Sequence, residues 1–293
     1  MRERDGSAVA ASVVKVSGCT SRRVEDSLAI EEPLEIQLLY GAADAREIKS
    51  ISVTMRTPGN DLELAAGFLM TEGVVRDVND IERIVPATVR PEVETSPAPL
   101  GQNAVRVELA ADVSVSIANL QRNFYTTSSC GICGKASLLA LRTVCPPRKK
   151  NTFTIDAHVL SKLPDRLREA QRVFDQTGGL HGAGLFDSTG NLLAVREDVG
   201  RHNAVDKVIG AEFLADRTPL RNRLLLLSGR ASFELLQKAV MAGISMVASV
   251  GAPSSLAVQV AEDFDVTLVG FLREENFNVY QGAGNIFGYS GGS

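Results

Sequence analysis

The chain has 293 residues, 44% hydrophobic and 23% charged, the composition of a soluble globular protein long enough for one large domain or two ordinary ones. Its net charge of −4 argues against a broad electrostatic grip on nucleic acid, and no apolar run approaches the roughly 20 residues of a membrane helix. Four cysteines are too few for a disulfide scaffold in a chain this size, so a close pair is expected to be chemical rather than structural.

Residues 1 to about 25 mix Ser and Ala with scattered valines and lack a continuous leucine-rich signal core. They are expected to be a flexible tail on a cytoplasmic protein. "LAIEEPLEIQLLYG" and "REIKSISVTMRTP" alternate as strands do, with Pro33 marking an edge or break. "NDLELAAGFLMTEGVV" switches to helical spacing, with Asn60 as N-cap, Glu63 three residues on and Gly73 past the end. "IERIVPATVR" and "NAVRVELA" are strand candidates around a Pro-rich loop at 91–101. "VSIANLQRNF" leads to a thiol segment, and "KASLLALRTV" reads as a helix stopped by Cys145-Pro146-Pro147.

"CPPRKKN" is a turn-rich basic junction, which places a smaller β-rich N-terminal α+β domain at 26–150 and a C-terminal α/β domain at 151–293. In the second, a helix over about 157–174 precedes a hairpin turning at Asp187 to Asn191. Helices then alternate with the strands "RLLLLSG", "ISMVASV" and "VTLVGF". That alternation predicts a mixed, mostly parallel sheet flanked by helices.

Loops leaving such strands gather at the carboxyl edge of the sheet, where ligands bind. Here they hold Ser228, Gly229 and Arg230, then Gly251, Ser254 and Ser255, then Arg273. The first two run into helix starts, whose free N–H groups and dipole favour an anion such as phosphate. Taken singly, each serine reads better as an ordinary N-cap. "REDVGRHNAVDK" crowds seven ionisable residues into another strand-to-helix turn and gathers Gly200, Arg201, His202 and Asn203 as a ligand-binding candidate. His181, between glycines, is as well read as structural as functional, and His158 as bland.

Cys130 and Cys133 form a CxxC with a glycine after each thiol. A structural zinc needs further ligands, and neither a second CxxC nor paired histidines are present. A thioredoxin-type redox pair remains open, although the βαβ context expected before it is weak. The glycines, the preceding serines and nearby Lys135 suit a mobile nucleophilic thiolate with a second thiol three residues on.

Together "TTSSCGICGKAS", "EDVGRHNAVDKVIG", "SGRASFELLQKA" and "GAPSSLAVQVAE" resemble the formate dehydrogenase accessory sulfurtransferases, the FdhD family, in matching order from about Leu28 to Tyr280. The resemblance implies a cytidine-deaminase-like C-terminal domain without zinc chemistry, and a homodimer. It implies a sulfur carrier that accepts sulfane sulfur as a cysteine persulfide from a cysteine desulfurase. The sulfur would pass to a molybdenum bis(molybdopterin guanine dinucleotide) cofactor, bound as substrate and destined for formate dehydrogenase, with GDP as a partial mimic. Cys130 then matches the persulfide-bearing residue and Cys133 its partner. Phe271, Leu272, Arg273, Glu274, Glu275 and Asn276 match the stretch assigned to the cofactor. No structural metal, nucleic acid or membrane insertion is expected. A thiol–disulfide oxidoreductase and a non-catalytic cofactor chaperone are the competing readings.

Overall fold

The computed structural model describes residues 4–87, 103–113, 138 and 141–289. Cys130 and Cys133 lie outside them.

The chain starts with the strands β1 (Arg4–Asp5), β2 (Ala8–Ser17) and β3 (Thr20–Ala29), an antiparallel three-stranded unit. The segment expected as a tail is therefore a paired ribbon. Most of its side chains are exposed, and cross-strand pairing rather than a buried face defines it. Next come β4 (Glu32–Tyr40), β5 (Glu47–Arg56), helix α1 (Asp61–Thr71), β6 (Ile81–Ala87) and β7 (Ala104–Leu109). These strands form a sheet in the order β5-β4-β7-β6. Asn60 stands at the N-cap of α1 but has left-handed backbone (φ 60°) and makes no side-chain cap. The first turn is tied instead by Asp61, which accepts two 2.9 Å hydrogen bonds from the Arg56 guanidinium.

The second half holds β8 (Ile155–Asp156), α2 (Ala157–Ala170), α3 (Arg172–Thr177), β9 (His181–Phe186), β10 (Leu192–Asp198) and α4 (Arg201–Leu214). Then follow β11 (Leu224–Leu227), α5 (Phe233–Met241), β12 (Met246–Ser249), α6 (Ser255–Asp263), β13 (Thr267–Arg273), β14 (Asn276–Gln281) and β15 (Ile286–Phe287). The single helix expected over 157–174 is two. Gln171 interrupts it, buried with its amide group packed against Gly182 on β9.

The main sheet runs β10-β9-β11-β12-β13-β14, with β11, β12 and β13 parallel and the other pairings antiparallel. It is buried on both faces, as the unbroken run Leu224–Leu227 requires. Leu224 and Leu226 face a cluster with Leu160, Leu163 and Leu167 of α2. Leu225 and Leu227 face the larger cluster, which also contains Leu34, Ile36 and Val107 of the first sheet and residues of α1, α4, α5 and α6. One core therefore continues across the junction at 145–151.

The closest join is the crossing of α1 over α4. A Cβ on Gly67 would lie 1.9 Å from the Asp206 carbonyl oxygen, and one on Gly210 would lie 1.8 Å from that of Glu63. Only glycine at both positions lets the two backbones touch.

Candidate functional site

Strand direction brings the ends of β10, β11, β12 and β13 and the start of β9 to one edge of the main sheet. The loops there interlock through backbone. Gly251 N–H donates to Gly229 O (2.9 Å), Phe271 N–H to Gly251 O (3.1 Å) and Ser254 N–H to Ala231 O (2.9 Å). A Cβ on Gly251 would stand 2.8 Å from Arg230 Cγ and 3.1 Å from Gly229 O, so the glycine is what lets the β11 and β12 loops close up.

Two of the predicted serines are spent on structure. Ser228 Oγ accepts the Gly182 N–H at 2.9 Å, and Ser254 Oγ caps α6 through the Ala257 N–H at 3.2 Å. Ser255 opens α6 and is exposed. α4 and α5 begin without side-chain caps, at Gly200 and Ser232. Ser232 Oγ and Arg201 Nε are shielded from solvent and have no hydrogen-bond partner among the described residues. Arg230 is exposed and forms no ion pair among them. Two adjacent helix starts with free donors and two uncommitted guanidinium groups make an anion-binding arrangement.

His202 joins them, its Nε2 standing 2.7 Å from Glu234 Oε2 in the first turn of α5. That contact holds the Glu234 carboxyl below the ordinary glutamate value against the opposing effect of burial. His181 is pushed down by burial and by the charges of Arg201 and His202. Glu234 and Ser232 went unnoticed in the sequence, although both sit inside "SGRASFELLQKA", four and two residues after Arg230.

The rest of the predicted motif faces elsewhere. Asn203 is 7% exposed, and its Nδ2 donates to Met55 O (2.8 Å) and Asp198 Oδ1 (3.0 Å). Gly200 N–H also donates to Asp198 Oδ1. These donors hold the first half of the chain against the edge, so Asn203 is not a free ligand-binding group. Thr54 of β5 turns its hydroxyl to Asn203 (3.1 Å), and Val53 and Met55 are exposed.

At the far end of the edge, a register break between Gly270 and Arg273 turns Phe271 outward and Leu272 inward. Phe271 is 42% exposed with left-handed backbone (φ 54°), costly for an aromatic residue, and Leu272 is fully buried. Arg273 Nε donates to Val250 O (3.2 Å), bracing the turn against the β12 loop. Glu274 and Glu275 are exposed, and Asn276 begins β14. A cavity of about 420 Å³ lies behind this turn, lined by Glu275, Asn276, Phe277, Tyr289 and the α2 residues His158 and Ser161.

Among the described residues no group of three or more His, Cys, Asp or Glu is arranged to hold a metal ion, and no helix is long and apolar enough to cross a membrane. Cys19 is exposed, and Cys145 is partly buried, its thiol raised by that burial.

The FdhD/NarQ family profile matches residues 29–287, nearly all of what has just been described. The chain belongs to the FdhD/NarQ family. The "Sulfur carrier protein FdhD" of Streptomyces coelicolor is 51% identical over 92% of this chain and 92% of its own length. That of Mycolicibacterium paratuberculosis is 52% identical over 89% of this chain and 92% of its own. The crystal structure of a putative formate dehydrogenase accessory protein from Desulfotalea psychrophila superposes with a TM-score of 0.71, covering 96% of this chain and all of that one at 24% identity. The mixed α/β architecture read from the sequence is thus the architecture of an FdhD/NarQ protein.

Proposed function

We propose that this chain is a cytoplasmic, homodimeric sulfur carrier that serves formate dehydrogenase. Cys130 accepts sulfane sulfur from a cysteine desulfurase: its thiolate attacks the outer sulfur of the donor persulfide, the donor thiolate leaves, and Cys130 carries the persulfide. Cys133 stands ready to relay that sulfur or to protect the first thiol by a disulfide. The recipient is a molybdenum cofactor bearing two guanine dinucleotides, bound as substrate at the edge of the main sheet.

The observation that carries this reading is the convergence, at one sheet edge, of uncapped α4 and α5 with Arg201 and Arg230, neither of which forms an ion pair among the described residues. A diphosphate is the size and charge such a site accepts, and GDP is the simplest probe of it. The exposed ring of Phe271 offers apolar surface to the rest of a large ligand. Family membership supports the sulfur chemistry, because the relatives are named for carrying sulfur.

The test is a mass measurement under non-reducing conditions after incubation with a cysteine desulfurase and cysteine. The wild type gains sulfur and Cys130→Ala does not. Equal loading of the Cys130→Ala protein would remove Cys130 as the carrier. Formate dehydrogenase activity supported when both cysteines are replaced would leave a chaperone.

A further inference from the structure

The β2–β3 ribbon has a feature that the sheet-edge site does not use. Its root is fixed: Ala8 and Ala11 are buried, Ile30 N–H donates to Ser7 O (2.9 Å) and Ser7 Oγ donates to Pro58 O (3.0 Å). Beyond it, every residue from Ser12 to Asp26 is exposed except the cross-strand pair Val13 and Val24. A two-stranded ribbon exposed on both faces gains little from its own contacts.

Three observations show what would complete it. First, β1 pairs only with Ala8 and Val9, so the outer edge of β2 from Ala10 to Ser17 has no strand neighbour among the described residues. Second, Val14 and Val16 on that strand are 56% and 66% exposed. Third, the register sets Lys15 directly opposite Arg22 and Val14 opposite Arg23. Like charges on one rung oppose pairing, and none of the three cations has an ion-pair partner among the described residues. The arm's acids, Glu25 and Asp26, sit on the rungs of Ser12 and Ala11, nearer the root. A single lysine suffices to guard an edge strand against aggregation. A basic tip with opposed cations on a chain of net charge −4 is more than that.

We propose that the β2–β3 ribbon is a docking arm for an extended acidic segment of a partner protein, which adds as a strand along Ala10–Ser17 and sets carboxylates against Lys15, Arg22 and Arg23. Main-chain hydrogen bonds from the open edge supply affinity, Val14 and Val16 supply apolar contact on one face, and the cations select for acid. A second copy of the chain is a poor occupant, because β2 carries no acid to set against Lys15, Arg22 and Arg23. This inference stands apart from the sulfur chemistry and does not need it.

The test uses the full chain and a fluorescent synthetic peptide alternating Glu with Val. Binding is read by anisotropy, and backbone protection of residues 10–17 by hydrogen exchange. The peptide binds and protects those amides. Substituting a central proline abolishes protection, and Lys15→Glu with Arg22→Glu and Arg23→Glu weakens binding by about tenfold or more. Should that triple variant fold poorly, Arg22→Gln with Arg23→Gln gives an intermediate loss. The proposal fails if the peptide does not bind, if the proline peptide binds as well, or if charge reversal leaves binding unchanged. It also fails if duplex DNA, but not the peptide, protects residues 10–17, or if charge reversal instead changes the oligomeric state.

Discussion

The two sides of helix α4 carry the same kinds of residue and do different work. On one side Asp198, at the end of β10, is fully buried and takes Lys207 Nζ at 2.7 Å together with N–H donors from Thr57, Gly200 and Asn203. Lys207 Nζ also donates to Thr57 O at 2.9 Å. One turn along, Asp206 accepts from Lys238 Nζ (2.9 Å) and Thr71 Oγ1 (2.9 Å), and although burial opposes its charge, Asp206 and Glu72 hold Lys238 above the ordinary lysine value. On this side Thr57 and Thr71 tie the first half of the chain to the second, Lys238 locks α5 to α4, and the Asp198 carboxylate ties α4 to the end of β10. On the other side, Arg201 and His202 face the sheet edge, and the Arg201 guanidinium has no partner among the described residues. A charge whose partners are all supplied by the fold is a fastener. A charge left short of partners at a helix start awaits something from outside.

That contrast breaks first on the fastened side. Replacing Lys207 by Ala takes the cation from the buried Asp198 carboxyl group, which should cost about 3–5 kcal/mol. The urea midpoint should fall, with the sheet-edge loops loosening because Thr57 and Gly200 share the same carboxylate. A midpoint shift no larger than that of an exposed substitution would show that the seam is not held here.

The open side should respond in the opposite sense. Arg201→Ala and Arg230→Ala break no ion pair among the described residues and should leave stability within about 0.5 kcal/mol of wild type. Each should weaken GDP binding, read by calorimetry, by about tenfold, the scale of one charge-assisted hydrogen bond. If both variants bind GDP as wild type does, the anion site lies elsewhere, and the turn at Phe271 to Asn276 with its neighbouring cavity becomes the place to look.

The sequence pattern made this edge visible but not its division of labour. Strands β11, β12 and β13 were legible because each is a short apolar run ending in glycine and polar residues, and the α/β alternation fixed where their ends meet. Periodicity says which elements exist, whereas partners are set by residues far away in the chain. Asn203 reads as a free donor in "GRHNA", yet its amide is taken by Met55, some 150 residues earlier, at a contact no local window contains. Asn60 has the residue type of a cap, but a left-handed backbone turns it away and Arg56 ties Asp61 instead. The N-terminal ribbon was missed for the opposite reason. Its strands bury almost nothing, so no hydrophobic alternation announces them, and only their pairing shows that they exist. The thiol segment, the most legible chemistry in the chain, falls outside the described residues.

The smallest effect is the most direct reading of the open side's charge. His181 begins β9 beside Gly229, and burial, then Arg201 and His202, hold it below the ordinary value of 6.5, with Asp198 opposing. As pH falls below 6.5 the unfolded chain takes up a proton that the folded chain still refuses. Stability from this residue is therefore fully present above that value and declines as pH drops through the depressed native one. Measured by urea midpoints, His181→Gln should flatten that decline. Arg201→Ala should move the His181 titration, followed by imidazole NMR, back up toward 6.5, because the guanidinium pressing on it is gone. Bound GDP should do the same by placing negative charge beside it. A His181 that titrates at or above its ordinary value, unmoved by Arg201→Ala, would mean that the Arg201 guanidinium does not share the edge with it.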